Sequence, residues 1–343
     1  MGRNNEITPP GSLQERFVSF IWYGVIMAGW LGLISFLDEA FHTVKKFNYE
    51  AIPKRKGEVV VLTGGTRGIG FDILKNLLQM DYHVIMGVRK IEAGLAAVET
   101  IRKSGVKSGT TQCLPLDLKS LTSVRKFGET ILKEKDRVDI LLNNAGIMFE
   151  PYELTEDGFE SHFQVNYLSH FLLTQILLPK LKSTGAKKST CCRIVNVSSV
   201  AHTASAIRNV KELASPKWGF RNMYSGFRAY YDSKLCQVLS TKYLDARLKL
   251  EGTNVHVYAV HPGVIPTGLY SSIGIFGQIM HWLAKFYRNS DEGAEIVMYA
   301  AISPEIESEG GLYMQNSEKR APNKIAEDHT IQKTLWELSE TCV

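Results

Sequence analysis

The stretch GEVVVLTGGTRGIGFDILKNLLQM, residues 57–80, passes from a short β-branched run through a glycine-rich turn into an amphipathic helical pattern. A phosphate-binding loop requires this order of strand, turn and helix. Gly64, Gly68 and Gly70 are spaced G-x-x-x-G-x-G. Small residues at these positions let the backbone approach a pyrophosphate, which then lies at the positive end of the helix. The stretch therefore predicts a dinucleotide-binding turn.

The rest of the chain repeats this alternation of strand and helix patterns. Further apolar runs are strand candidates, and helical patterns separate most of them: 82–88, 111–117, 138–144, 192–199, 254–260 and 310–314. Continuous apolar strands separated by helices indicate a parallel sheet that is covered on both faces. We therefore predict an α/β fold, a single doubly wound Rossmann-type domain with a sheet of about seven strands.

An uncharged apolar run, FVSFIWYGVIMAGWLGLISFL at 17–37, precedes this domain. As a helix it would cross the roughly 30 Å hydrocarbon core of a bilayer. It is longer than the apolar region of a signal peptide and lacks a clear cleavage site, so we predict a retained transmembrane anchor. The positive charges that follow the run place the large C-terminal part in the cytosol. The predicted organisation is an N-terminal tail (1–16), the anchor (17–37), a linker (38–56), the Rossmann-type domain (57–325) and a C-terminal tail (326–343).

Charge and cysteine content limit the classes of partner and site. The formal charge of +5 comes from 40 basic and 35 acidic residues and forms no basic stripe interleaved with aromatic residues. We therefore expect no nucleic-acid partner, whereas a membrane surface or an anionic cofactor accounts for the charge equally well. The five cysteines are odd in number and show no CxxC spacing. We predict reduced thiols facing the cytosol and no metal site.

Five motifs occur in a characteristic order: the glycine turn, NNAG (143–146), IVNVSS (194–199), a Y-x-x-x-K pair and HPGVIPT (261–267). On these motifs the chain resembles the short-chain dehydrogenase/reductase superfamily over roughly residues 57–325. Within it, DGFESHFQVNYLSHFLLT and DEGAEIVMYAAISPE are most similar to the retinol-dehydrogenase-like branch. The resemblance implies an oxidoreductase that uses a nicotinamide cofactor.

Two adjacent tyrosines, Tyr230 and Tyr231, could each be the acid of such an enzyme. Residues four apart share one helix face, so Tyr230 projects with Lys234, while Tyr231 is turned about 100° away. We predict that Tyr230 is the general acid or base and that Tyr231 packs. A neighbouring ammonium favours an ionised phenol, so we expect Lys234 to bring the pKa of Tyr230 toward the neutral range.

The resemblance implies roles for further residues. Lys234 hydrogen-bonds the nicotinamide ribose, and Ser199 hydrogen-bonds the substrate oxygen, with Ser198 as the alternative. The main-chain carbonyl of Asn166 helps to hold a water for proton relay to Lys234. Asp117 contacts the adenine edge, unless it only caps its loop. The predicted cofactor-binding residues, besides Tyr230 and Lys234, are Gly64, Thr66, Arg67, Gly68, Ile69, Gly70, Arg89, Asp117, Leu118, Asn144, Ala145, Gly146, Pro262, Gly263, Val264 and Thr267.

The end of the second predicted strand bears on the choice between NAD(H) and NADP(H). An acidic residue there usually binds both ribose hydroxyls of NAD. Here the strand ends on Arg89 and Lys90, and Arg67 lies inside the glycine turn. Two guanidinium groups could meet a 2′-phosphate, so we predict NADP(H).

Two segments bear on the substrate. The long segment 200–229 contains Trp218, Phe220 and Phe227, and the segment 268–289 is mostly apolar. We expect the second to form an apolar lid near the bilayer; the alternative is a helix packed on the domain. The predicted substrate is a lipophilic alcohol or its carbonyl form: retinoid, steroid, fatty or polyisoprenoid.

The predicted function is that of a membrane-anchored oxidoreductase of the endoplasmic reticulum, with its catalytic domain facing the cytosol. The alternative is a non-catalytic NADP(H)-binding protein on the same fold. The resemblance leaves two association states open, a homodimer through the tyrosine helix and its neighbour, and a monomer.

Overall fold

The computed structural model describes residues 52–205, 207, 209–215, 224–265 and 289–343, and the single residues 22, 26, 27 and 30. Most of the predicted anchor, the aromatic residues Trp218 and Phe220, and the predicted lid except residue 289 lie outside the described residues. Within the described part, no helix has the length and apolar character needed to span a bilayer.

Eight strands form one sheet in the described part of the chain. They are β1 (Val59–Thr63), β2 (His83–Val88), β3 (Thr110–Pro115), β4 (Ile140–Asn143), β5 (Cys192–Val197), β6 (Val255–His261), β7 (Leu312–Gln315) and β8 (Glu318–Lys319). Their order is β3-β2-β1-β4-β5-β6-β7-β8. The first seven are parallel, and β8 pairs antiparallel with β7. The seven predicted strands are all present; β8 is too short to produce a sequence pattern.

Helices cover both faces of the sheet. The helices of the described ranges are α1 (Gly68–Gln79), α2 (Ile91–Lys103), α3 (Leu121–Glu134), α4 (Ser169–Gly185), α5 (Gly226–Leu250), α6 (Ser290–Ile302) and α7 (His329–Cys342). Side chains of α1, α2 and α6 form one apolar core with the sheet, and those of α3, α4, α5 and α7 form the other. The domain is therefore a three-layer α/β structure, as the alternating pattern predicted.

Strand β1 shows why these strands read as continuous apolar runs. All five of its residues are buried. Val59 and Val61 belong to the core with α3 and α4, whereas Val60 and Leu62 belong to the core with α1 and α6. Successive strand residues point to opposite faces, so a sheet that is covered on both sides needs apolar side chains at every position.

The order of the strands reverses beside β1, which lies between β2 and β4. In open α/β sheets a ligand crevice forms at such a point, beyond the carboxyl ends of the strands. Thr63 ends β1, and its hydroxyl accepts hydrogen bonds of 3.0 Å from the main-chain N–H groups of both Asn144 and Ala145. This residue therefore joins the glycine turn to the NNAG segment at the edge of the crevice.

The C-terminal boundary differs from the sequence prediction of a tail at 326–343. That segment contains α7, whose Leu335 and Trp336 are buried in the main apolar core. The Trp336 ring packs edge-on against Phe171 of α4, with ring centroids 4.8 Å apart. The domain therefore extends to the end of α7. The family motifs end before this helix, so they gave no sign that it packs.

Candidate active site

The glycine turn has the geometry that close approach of a phosphate requires. Gly64 and Gly68 have φ angles of +73° and +54°, which side chains disfavour. A Cβ added at Gly64 would lie 2.9 Å from Ala145, and one at Gly70 would overlap the main-chain oxygen of Gly64. Helix α1 begins directly after Arg67, whose side chain makes no capping hydrogen bond to it. The first main-chain N–H groups of α1 are therefore not capped by the Arg67 side chain, and they can donate hydrogen bonds to a bound anion.

A cavity of about 880 Å³ opens at the carboxyl ends of the strands, beside this turn. The predicted site residues line it with two exceptions. Asn166 is fully buried behind the cavity wall, and Thr267 lies outside the described residues. The structure thus brings together residues from the glycine turn, the NNAG segment, the end of β5, helix α5 and the HPG segment after β6.

Tyr230, Lys234 and Ser199 meet at one end of this cavity. Tyr230 and Lys234 are one turn apart on α5, and Lys234 Nζ lies 5.6 Å from the centre of the Tyr230 ring. The Ser199 side chain lies beside the Tyr230 phenol and lowers its pKa, against the larger effect of burial. Ser199 directly precedes the helical turn Val200–Ala204, which it caps by accepting a 3.2 Å hydrogen bond from the main-chain N–H of Ala201. A hydroxyl, a phenol and an amine therefore converge where a substrate oxygen could bind.

The comparisons with known proteins agree with this geometry. Residues 58–234 match the model of the short chain dehydrogenase family. This chain is a short-chain dehydrogenase. It is 39% identical to polyprenol dehydrogenase of Danio rerio, over 86% of this chain and 89% of that protein. It is 38% identical to retinol dehydrogenase 13 of Homo sapiens, over 82% of each chain.

A crystal structure of an uncharacterised protein from Mycobacterium paratuberculosis has the same fold. Its TM-score is 0.68 and its sequence identity 32%, over 87% of this chain and 97% of that one. The polyprenol and retinol dehydrogenase relatives confirm the predicted relation to the retinol-dehydrogenase-like branch. The chain is an oxidoreductase that acts on CH–OH groups.

The start of α5 in this dehydrogenase is held by contacts outside the cavity. A Cβ at Gly226 would lie 2.6 Å from the main-chain oxygen of Glu150, so only glycine fits at this crossing. The Tyr224 hydroxyl donates a 3.0 Å hydrogen bond to Oε1 of Glu160, a fully buried carboxylate that also binds Nδ1 of His162 at 2.7 Å. These contacts fix the first turn of α5 and hence the position of Tyr230.

The ionisation of Tyr230 differs from the sequence expectation. Burial raises the pKa of Tyr230 to about 12, and the hydrogen bond from Ser199 only partly opposes this effect. Burial also lowers the pKa of Lys234 to about 7, which weakens its positive charge at neutral pH. The pKa of Tyr230 is therefore raised by burial and not lowered by Lys234, contrary to the sequence prediction.

The two candidate serines occupy different environments. Ser198 is buried, and its hydroxyl donates a 2.9 Å hydrogen bond to the main-chain oxygen of Lys234. Ser199 lies directly beside Tyr230 in the cavity instead. Tyr231 is 1% exposed and packs in a small apolar cluster with Ala201 and Phe227, as predicted for the tyrosine that turns away.

Asn166 lies in the irregular helical turn Phe163–Leu168, directly before α4. Its Oδ1 accepts a 2.8 Å hydrogen bond from the N–H of Ile147, and its Nδ2 donates to the carbonyl of Ile147 at 3.0 Å and to Ser233 Oγ at 2.9 Å. The side chain therefore ties the NNAG segment to α5. Its main-chain carbonyl accepts a 2.8 Å hydrogen bond from Gln237 Nε2, a residue that the motifs did not mark.

The opposite end of the cavity carries positive charge. Arg67, Arg89 and Lys90 all line it. Asp117 lines it too, while its Oδ1 accepts a 2.9 Å hydrogen bond from the N–H of Lys119. Asp117 thus performs the loop-capping role that was its alternative, and it also faces the cavity. The glycine turn and these cations fit the phosphates of a nicotinamide dinucleotide.

Phe149 is a site residue that sequence reasoning missed. It adopts a left-handed backbone conformation, φ +60°, which is strained for a non-glycine residue. Its ring packs against Phe227 at 4.2 Å and against Tyr230 at 5.2 Å between centroids. It therefore forms an apolar wall beside the tyrosine. No motif indicated this role, because it depends on a backbone conformation that the sequence does not reveal.

Proposed function

We propose that this chain is a membrane-anchored, NADP(H)-dependent oxidoreductase that interconverts a lipophilic alcohol and its aldehyde or ketone. The observation that carries the proposal is the meeting of Ser199, Tyr230 and Lys234 at one end of a cavity whose other end is a glycine turn with neighbouring arginines. Because Ser199, Tyr230 and Lys234 are all present, an enzyme is favoured over the alternative, a non-catalytic NADP(H)-binding protein.

The chain's own residues would handle the substrate oxygen. Bound NADP(H) would supply or accept the hydride at the carbon. With a pKa of about 12, Tyr230 is protonated at neutral pH, so it can donate its proton to the oxygen of a carbonyl that is being reduced. Ser199 would donate a hydrogen bond to the same oxygen and stabilise the charge that develops there. The buried amine of Lys234 would orient the cofactor ribose and support the phenol.

The proposed preference for NADP(H) rests on charge. Arg67 and Arg89 line the end of the cavity that lies beyond β1 and β2, and Lys90 is beside them. A 2′-phosphate would gain charge-assisted hydrogen bonds from guanidinium groups, whereas the 2′-hydroxyl of NAD(H) would gain much less. Arg89 and Lys90 are the two residues directly after β2, where an NAD-selective site usually has an acidic residue.

The apolar surroundings of Tyr230 support a lipophilic substrate. Phe149 and Phe227 pack beside it, and Met27, a residue of the predicted anchor, packs against the same cluster. This contact would bring the anchor to the mouth of the site, so that a substrate could enter from the bilayer. Relatives named polyprenol dehydrogenase and retinol dehydrogenase 13 support long isoprenoid alcohols within the wider class of retinoid, steroid, fatty and polyisoprenoid compounds. The proposed location is the endoplasmic reticulum, with the domain facing the cytosol.

The test uses the full chain in microsomes. NADPH and NADH oxidation are followed with retinoid, steroid, fatty and polyisoprenoid carbonyls, and the reverse reactions with the alcohols. Tyr230→Phe and Tyr231→Phe are the paired variants. Turnover with NADPH that disappears only in Tyr230→Phe supports the proposal. NADPH binding without turnover of any carbonyl or alcohol would favour the non-catalytic alternative. Sedimentation of the protein in detergent distinguishes a homodimer from a monomer.

A further inference from the structure

The amide of Gln237 bridges Lys234 and Asn166 behind the cavity. Lys234 Nζ donates a 3.2 Å hydrogen bond to Gln237 Oε1, and Gln237 Nε2 donates a 2.8 Å hydrogen bond to the main-chain oxygen of Asn166. Gln237 is 2% exposed and lies nearly one turn after Lys234 on α5. The bridge therefore links the tyrosine helix to the turn that precedes α4, out of contact with bulk water.

Only one orientation of this amide satisfies its neighbours. The ammonium of Lys234 can only donate hydrogen bonds, and the carbonyl of Asn166 can only accept them. The oxygen of the Gln237 amide must therefore face Lys234, and its nitrogen must face Asn166. A reversed amide would leave two donors facing each other and two acceptors facing each other.

The carbonyl of Asn166 has a second donor, His170. The Thr63 hydroxyl accepts hydrogen bonds from the N–H groups of residues 144 and 145, so its own hydrogen must point to an acceptor. His170 Nε2 at 2.9 Å is a closer acceptor than the main-chain oxygen of Leu142 at 3.4 Å. His170 then carries its proton on Nδ1, which lies 3.1 Å from the carbonyl of Asn166. Gln237 and His170 are therefore two buried side-chain donors to this carbonyl.

Lys234 is held from two sides by carbonyl oxygens. Besides Gln237, the main-chain oxygen of Val197 accepts a 2.7 Å hydrogen bond from its Nζ. An ammonium has three N–H groups, so one is left for the cavity that Lys234 lines. The titratable groups that face Lys234 are Tyr230 on its own helix and His170 on α4, and burial keeps His170 neutral by lowering its pKa to about 4. From β5, only the main-chain oxygen of Val197 is bonded to the Nζ.

We propose that Gln237 is a positioning residue that holds the ammonium of Lys234 in one orientation through a direct amide bridge to Asn166. The inference rests on the proposed function, because it assigns Lys234 to the same reaction.

The test compares Gln237→Met, which keeps an unbranched side chain but removes both hydrogen bonds, with Gln237→Glu, which places a negative charge beside the amine. Loss of the Gln237 oxygen in Gln237→Met disfavours the ammonium form of Lys234, whereas the carboxylate in Gln237→Glu favours it. The alkaline limb of the kcat/KM profile reports loss of the proton from Lys234, the more acidic of the two groups Lys234 and Tyr230. It should therefore move to lower pH by roughly one unit in Gln237→Met and to higher pH by roughly one unit in Gln237→Glu. A purely structural role would not move the limb in opposite directions.

Thr241→Val is the matched control. The Thr241 hydroxyl is buried on the same helix and accepts a 2.9 Å hydrogen bond from Asn196 Nδ2. This variant should lose stability without moving the limb. Urea unfolding of all the variants identifies any that fail to fold.

A second measurement needs no turnover. Trace acetylation with acetic anhydride across a pH series, with Lys234 followed by peptide mass spectrometry, reports the ionisation of this amine in the full chain. Midpoints that shift downward in Gln237→Met and upward in Gln237→Glu support the inference, even if no substrate is turned over and the proposed function fails. Unchanged midpoints in both variants would overturn it, even in an active enzyme.

Discussion

The hydroxyl of Ser198 donates a hydrogen bond of 2.9 Å to the main-chain oxygen of Lys234. This contact fixes the end of β5 to the third turn of α5, and it uses the only proton that the Ser198 hydroxyl can donate. The next residue, Ser199, then faces Tyr230 in the cavity. One serine thus holds two elements together, while its neighbour is available for a substrate oxygen.

The paired variants Ser199→Ala and Ser198→Ala should separate these roles. Ser199→Ala removes a donor to the reacting oxygen, so we expect kcat/KM to fall by roughly 10²-fold, together with about 1 kcal/mol of unfolding free energy for the lost cap. Ser198→Ala should lower the free energy of unfolding by about 1 kcal/mol and change kcat/KM by less than about threefold. Steady-state kinetics and urea unfolding check both. The reverse pattern would assign the substrate oxygen to Ser198.

Cofactor choice should depend on Arg89. The variant Arg89→Glu replaces a cation beside the predicted 2′-phosphate with an acidic group, so we expect the Kd for NADPH to rise by roughly 10–100-fold. The Kd for NADH should change little or improve. Lys103→Ala is the control, because it removes an exposed cation of α2 that pairs with Glu99 at 2.7 Å. Fluorescence titration measures both constants; equal weakening of NADPH and NADH would contradict the assignment.

Two buried histidines should make the fold sensitive to acid. Burial lowers the pKa of His170 and of His202 to about 4. In the unfolded chain the pKa of a histidine is near 6.5. Between pH 6.5 and pH 4, these two histidines are therefore protonated in the unfolded state but not in the native state. The contribution of each neutral histidine to the free energy of unfolding is therefore fully present above pH 6.5. It is lost as the pH falls toward 4, by on the order of 2–3 kcal/mol for each histidine.

The variant His202→Gln tests this pH dependence. The glutamine side chain does not titrate but can still donate and accept hydrogen bonds. We expect a smaller loss of unfolding free energy between pH 7.5 and 4.5 than in the unmodified chain. Exposed His329→Gln is the control and should leave the slope unchanged. Urea unfolding of the full chain in detergent at several pH values gives the slopes, and a His202→Gln slope equal to that of the unmodified chain would refute the prediction.

Helix α7 should be required for stability. Trp336 is 2% exposed and packs against Phe171 and Tyr243, at 4.8 and 5.2 Å between ring centroids. Trp336→Ala should lower the free energy of unfolding by roughly 3–5 kcal/mol, because it leaves a large cavity. Lys333→Ala, on the exposed face of the same helix, should cost less than about 1 kcal/mol. Similar small losses in both variants would mean that the C-terminal segment is a tail after all.

Local patterns were sufficient for much of this fold. The strand positions followed from apolar runs, because a doubly covered sheet needs apolar side chains at every strand position. The glycine turn followed from its spacing, and the shared face of Tyr230 and Lys234 followed from helical periodicity. The position of α7 could not be predicted in this way, since its apolar residues pack against helices that are distant in sequence.

The amino-acid sequence by itself determined the α/β class, the glycine turn beside β1 and the pairing of Tyr230 with Lys234, because each depends on residues that are close along the chain. Only the tertiary structure decided that Ser198 binds the main chain of α5 while Ser199 lies beside Tyr230, that burial raises the pKa of Tyr230, and that Gln237 bridges Lys234 to Asn166. These features depend on which atoms lose water and which donors meet which acceptors, and those contacts exist only after distant segments have packed together.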